Sequence, residues 1–181
     1  MQETIKIPYA SSWAWKIKLL SYTELFDYFK SERTKLIEAF QKLLPEEYVK
    51  NRELSFFSIK DTFLHTISVE NNWLHYSYRG LPNPSFKPEV YTDLESTMRY
   101  MSEVDQKTKA LFKGLRPEDL RKMITRKQSD GKEVSYALEK VLYHIPIEVI
   151  HHYGEIFAEF WKMNLDAPYL SYVRYSASKN V

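Results

Sequence analysis

The chain has no cysteine in its 181 residues. That excludes disulfides, a thiolate nucleophile and any sulfur-ligated zinc, and it leaves histidine, aspartate and glutamate as the strong metal ligands. Glycine is nearly as scarce, with four. Tight hairpins draw on glycine for positive φ, so a protein of many β-turns is not expected. No run of about 20 apolar residues is present, and the opening MQETIKIPYASSWAWKIKLLSY lacks the basic start and continuous apolar core of a signal peptide. A cytoplasmic protein that does not enter the membrane is the expectation. An excess of one charge is also missing: 26 basic and 24 acidic residues leave a net charge of +2. The charges are spread along the chain, so no polyanion-binding face is visible and nucleic acid is not an expected partner. Gly-rich phosphate loops, the G-x-S-x-G elbow and H-E-x-x-H are absent as well.

What is present is apolar and aromatic: 44% hydrophobic and 15% aromatic residues, ample for one well-filled core. The candidate linkers, Leu81 to Pro88 and Ser129 to Gly131, are too short to separate domains, so residues 1–181 are expected to form one. Residues 1–19 read as an N-terminal arm anchored by Trp13 and Trp15. The spacing predicts a first helix from Ser21 or Thr23 to about Leu44, with Ser21 capping, Glu24 at capping-box spacing and Pro45 beginning the exit. A second runs from a Ser58 cap, with Asp61 in its first turn, to Gly80. The prolines of LPNPSFKP forbid continuation, and Thr92 then caps a third helix ending at Gly114. Asp130-Gly131 marks an irregular hairpin before the last helix. Pro146 falls inside that helix and either bends it near His144 or breaks it. Beyond Tyr175 the tail is too polar for core, and residues 176–181 are expected to be flexible. The fold class expected is all-α, a four-helix bundle with a short irregular hairpin before the last helix.

Ser135 to Met163 holds three of the five histidines. On a helix, His144, Glu148 and His152 fall at i, i+4 and i+8 on one face, beside an apolar stripe of Leu138, Val141, Leu142, Ile145, Val149, Ile156 and Phe160. A metal site in a bundle needs ligands from at least two helices, and His65 on the second is the natural complement to Glu148 and His152. Such a three-ligand set suits Zn, Ni, Mn or Fe with positions open to water. The competing reading is a set of hydrogen-bonded polar residues bordering the core. Glu155, one turn past His152, can orient a ligand imidazole or remain solvated; His151 reads as surface or supporting. Glu70 reads as a supporting carboxylate or an ion-pair partner, and His75 as a cation serving its helix C-terminus.

Two segments carry a family resemblance. SFFSIKDTFLHTISVENNWL, Ser55 to Leu74, resembles the second-helix pattern of the DinB/YfiT-like family, a ligand His followed at +5 by Glu and at +8 by Trp, here His65, Glu70 and Trp73. YHIPIEVIHHYGEI, Tyr143 to Ile156, is similar to that family's last-helix signature, with His144, His151, His152, Gly154, Glu155 and Ile156 in register. LFDYFKSERTKLIEAFQKLLPEEYV resembles its first helix. The resemblance implies an up-down-down-up four-helix bundle, usually a homodimer, with a divalent metal on three histidines. Carried over by position these are His65, residue 148 and His152. Here Glu148 stands where the family has His, and Tyr153 replaces the usual Arg. Either Glu148 ligates with a changed metal preference, or His144 substitutes, or the site is a polar network. Characterised relatives include thiol S-transferases and thiol-dependent isomerases, which implies a small-molecule substrate or thiol cofactor. The alternative is a non-catalytic ligand-binding or interaction bundle.

Overall fold

The computed structural model describes residues 12–128 and 130–178, with side chains from residue 21 onward. The chain is mostly helical: α1 (Ser12–Phe40), α2 (Pro45–Val49), α3 (Ile59–Asn71), α4 (Leu94–Gly114), α5 (Leu138–Lys162) and α6 (Tyr172–Ser178). Two antiparallel hairpins are inserted, β1 (Asn51–Leu54) with β2 (Phe57–Ser58), and β3 (Met123–Lys127) with β4 (Glu133–Ala137).

Helix α1 begins at Ser12, so Ser21 sits inside it rather than capping it. Neither Gly nor Pro occurs between Pro8 and Pro45, and a capping-box spacing alone does not stop a helix that already propagates. The N-terminal part of the expected arm lies outside the described residues, as does the end of the tail. At its other end α1 stops at Phe40, earlier than Leu44. Leu44, the residue before Pro45, is extended with ψ 140°, as the proline ring requires, and the turn at residues 41–43 tightens into shorter-range bonds such as Leu43 N–H to the Phe40 carbonyl at 3.0 Å. Pro45 then opens α2, where its missing N–H costs nothing.

Helix α3 starts as its sequence dictates, with the Ser58 hydroxyl accepting from the Asp61 N–H at 3.0 Å. It continues as a π turn over Asn72–Tyr76 and a 3₁₀ turn over Ser77–Arg79, and ends at Gly80, whose φ of 70° is left-handed. The cap of α4 is Asp93, not Thr92: Asp93 Oδ1 accepts from the Ser96 N–H at 2.7 Å and the Ser96 hydroxyl faces back, a reciprocal pair Thr92 is one residue too early to make. The last helix takes over from β4 at Leu138 and passes Pro146 unbroken.

The predicted stripe of α5 is the core: Leu138, Val141, Leu142, Ile145, Val149, Ile156 and Phe160 are all buried. Ring contacts fix how α3 lies on it. Phe63 meets Tyr153 at 6.4 Å, His65 meets His152 at 4.8 Å and Trp73 meets His144 at 5.6 Å, so α5 numbers fall as α3 numbers rise and the two run antiparallel.

A polar cluster is also enclosed. Arg33 on α1 lies 3.6 Å from Glu70 on α3 and bonds to Asp105 on α4, and Lys30 lies 3.3 Å from Glu70. Burial alone would lower the Arg33 guanidinium, but Glu70, then Tyr153 and Asp105, hold it above its usual value. His75 is likewise buried. Its Nε2 lies 3.1 Å from the Thr108 hydroxyl, and desolvation, then Arg79, Lys107 and Lys30, push it down to about 4. It is therefore neutral at physiological pH, which corrects the expected cationic helix-end role.

Two outcomes follow. Glu70→Ala, which leaves the buried Arg33 with Asp105 as its one remaining carboxylate partner, is expected to destabilise by about 3 kcal/mol, measured by urea unfolding. Unfolded His75 takes up its proton near 6.5, while folded His75 does so only near 4. Its contribution is thus fully present above about pH 6.5 and is lost as pH falls from there towards 4. Thermal melts across that window should fall with pH, less steeply in His75→Gln.

Candidate metal centre

The antiparallel contact of α3 and α5 decides which side chains meet. His65 projects from α3, seven residues past the Ser58 cap, and faces the turn of α5 that carries Glu148 and His152. Their nearest ligand atoms lie within 4.8 Å of one another. Glu148 Oε1 is 3.9 Å from His65 Nε2 and 3.4 Å from His152 Nε2. These gaps are long for hydrogen bonds. They are close to the roughly 3.3–3.5 Å that separates neighbouring donors on one ion with metal–ligand bonds of about 2.0–2.2 Å. The donor set, two imidazole nitrogens and a carboxylate from two helices, fits a divalent cation.

The protonation of the site suits that fit. Burial, and next the His152 imidazole, push His65 down to about 4 against the pull of Glu148 and Glu155, so its ring offers a lone pair at neutral pH. Burial by itself would raise the Glu155 carboxyl, but the Ser55 hydroxyl and His152 outweigh it and hold Glu155 below its ordinary value. An ionised Glu155 can only accept. His152 Nδ1, 3.2 Å from Glu155 Oε2, is therefore the donor of that contact, and Nε2 faces Glu148 Oε1 at 3.4 Å. Ser55 holds the other Glu155 oxygen at 2.6 Å.

The remaining expected residues separate. His151 is exposed, with Nε2 3.8 Å from Glu155 Oε1, at the outer edge of the site. His144 does not join: it is exposed and lies edge-on to Trp73. Eight residues make two turns plus about 80°, and about 12 Å of rise, so i and i+8 do not reach one ion. Glu70 is not a supporting residue of this site either. Five residues from His65 it points to another face of α3, where it pairs with Lys30 and Arg33.

Phe56 was not legible as a site residue. Its ring stacks on His65 with centroids 3.7 Å apart and planes at 16°, and meets His152 edge-on at 5.5 Å; Phe86 closes against His65 at 6.1 Å. Phe56 and Ser55 occupy the turn of the β1–β2 hairpin, whose Glu53 and Phe57 have φ of 58° and 70°. Such values are costly for non-glycine residues and hold only where surrounding contacts impose them. The available signal was the Phe56-Phe57 pair beside the polar run Lys50 to Glu53.

A family model, the DinB family, matches residues 16–178. The chain belongs to the DinB family. No curated protein matches it. Among the described residues, no helix is long and apolar enough to cross a membrane.

The Glu155 arrangement has a spectroscopic consequence. In long-range ¹H–¹⁵N spectra at neutral pH, metal-free protein should show a proton on His152 Nδ1. Glu155→Gln should produce a tautomer mixture, while Ser55→Ala produces a smaller change. An Nε2–H tautomer in the unaltered chain would contradict the assigned donor.

Proposed function

We propose that this DinB-family chain is a metal-dependent protein acting on small molecules, a transferase or hydrolase, with His65, Glu148 and His152 holding one divalent ion. The single observation that carries this reading is the convergence of three donors from two helices within 4.8 Å. The ion would be Zn, Ni, Mn or Fe, and the carboxylate at position 148 tilts the set towards metals that accept an oxygen donor. When bound, it would supply Lewis acidity, lowering the pKa of water or of a substrate thiol to give a nucleophile at neutral pH.

The protein's own residues do the rest. Glu155, steadied by Ser55, holds the His152 ring in the rotation that turns Nε2 towards Glu148. Glu148 supplies the one negative charge among the ligands. Phe56 lies flat on the His65 ring and Phe86 meets it edge-on, which fixes the plane in which its lone pair points. A thiol S-transferase type of reaction, a thiol cofactor and a homodimeric assembly belong to the same proposal. So does an up-down-down-up path of the long helices, supported by the antiparallel α3–α5 ring contacts and by the parallel contacts of α1 with α5, Tyr22 with Tyr143 and Phe40 with Phe160.

A second reading has one observation in its favour. Phe56 lies flat on His65, which would suit a bundle that binds a ligand without turning it over.

Elemental analysis of untagged protein separates the two. About one equivalent of divalent metal is expected per chain, together with a rise in melting temperature on adding Zn or Ni to the stripped protein. His65→Ala and Glu148→Ala should abolish that rise. Less than about a tenth of an equivalent, and no response in the parent, would favour the binding bundle.

A further inference from the structure

Three arginines of the described chain are not exposed: Arg33, Arg52 and Arg126. Arg33 faces Glu70 and Asp105, and Arg52 faces Glu47 and Glu159. Arg126, on β3, makes no ion pair among the described residues. Its guanidinium lies over the Trp73 ring, 4.2 Å from the centroid. The Asn83 amide orientation that satisfies all its neighbours directs Nδ2 to the Ser77 hydroxyl at 3.0 Å and the Asn72 carbonyl at 3.1 Å, so that Oδ1 accepts from Arg126 Nη2 at 2.8 Å. Burial pulls the Arg126 guanidinium below its ordinary value, and only the Tyr136 hydroxyl opposes it. A half-buried cation with no counter-charge gains from an anion placed at its free edge.

The same guanidinium lines a cavity of about 440 Å³, with Ser77, Gly80, Asn83, Thr125 and Lys127 among its neighbours. None of His65, Glu148, His152 or Glu155 lines it. Glu133 is the one carboxylate on its wall, and it stands in register with Lys127 across the hairpin, making no ion pair with Arg126. The guanidinium carbon sits over the Trp73 ring, and Asn83 takes one of its five N–H groups. A planar fork stacked on an aromatic ring keeps its edges for oxygen acceptors, the geometry by which arginine takes carboxylates and phosphates.

We propose that this cavity, between the β3–β4 hairpin and the loop after Gly80, binds a small oxyanion, the carboxylate or phosphate group of a small molecule, with Arg126 as its fork. The ligand charge completes what Glu70 does for Arg33 and Glu159 for Arg52. The site stands on residues separate from the metal centre and does not depend on that centre holding metal.

The full-length chain is titrated with sodium phosphate and, separately, with sodium acetate, each against sodium chloride at matched ionic strength, and followed by ¹H–¹⁵N spectra. Saturable movement of the Arg126 Nε–H and of the Gly80 and Asn83 amides is expected with at least one anion. Phosphate alone assigns a phosphate group, acetate alone a carboxylate, and both the shared chemistry. Arg126→Gln should weaken binding at least tenfold. No saturable movement with either anion, or unchanged binding in a folded Arg126→Gln, overturns the proposal. Should that variant not fold, the Arg126 Nε–H of the unaltered chain decides alone: movement on titration supports the site, and a fixed resonance removes it.

Discussion

The antiparallel seating of α3 on α5 is the constraint from which the rest follows. Phe63 against Tyr153 and Trp73 against His144 set the register at either end of the contact, and His65 opposite His152 lies between them. In a close-packed interior the two helices cannot slide by a fraction of a turn without repacking those rings. The spacing of His65 from Glu148 and His152 is therefore inherited from apolar packing, which is far stronger than anything three polar side chains could impose on one another. The centre is preorganised by groups that take no part in it.

Around that contact, two layers of polar support sit on different elements. Glu155 acts on His152 from within α5, three residues on. Ser55 and Phe56 reach across from a hairpin that precedes α3 in the chain and closes over the same side. The hairpin is held at one end by the Ser58 cap and at the other by Arg52, which pairs with Glu47 and lies 3.7 Å from Glu159 near the far end of α5. A short segment with two left-handed non-glycine residues is thus fixed at both ends and bonded in the middle.

Much of this was legible in the sequence, and the reasons it was or was not are physical. The α5 stripe and the Ser58 cap follow from periodicity and local hydrogen-bond chemistry, which a single helix expresses without reference to its neighbours. Convergence of His65 with Glu148 and His152 needed the further argument that one helix cannot complete a coordination sphere. His144 failed because i+8 drifts from i by nearly a quarter turn, an effect the row of polar residues conceals. Glu70 and Phe56 depend on which helix or hairpin lies opposite, and no local pattern encodes that. The β1–β2 hairpin carries neither glycine nor an alternating run, so it read as a plain connector. His75 looked like a helix-end cation because the sequence shows the helix end and not the α4 surface that buries it.

His152 and Tyr153 are adjacent on α5, about 100° apart around its axis. One turns towards the candidate ligand set; the other is fully enclosed, within electrostatic reach of Arg33 and Glu70. The rod is thus gripped on two flanks at a single level and cannot roll about its long axis without tearing at both. Movement of the hairpin that carries Ser55 and Phe56 would leave the imidazole where it stands.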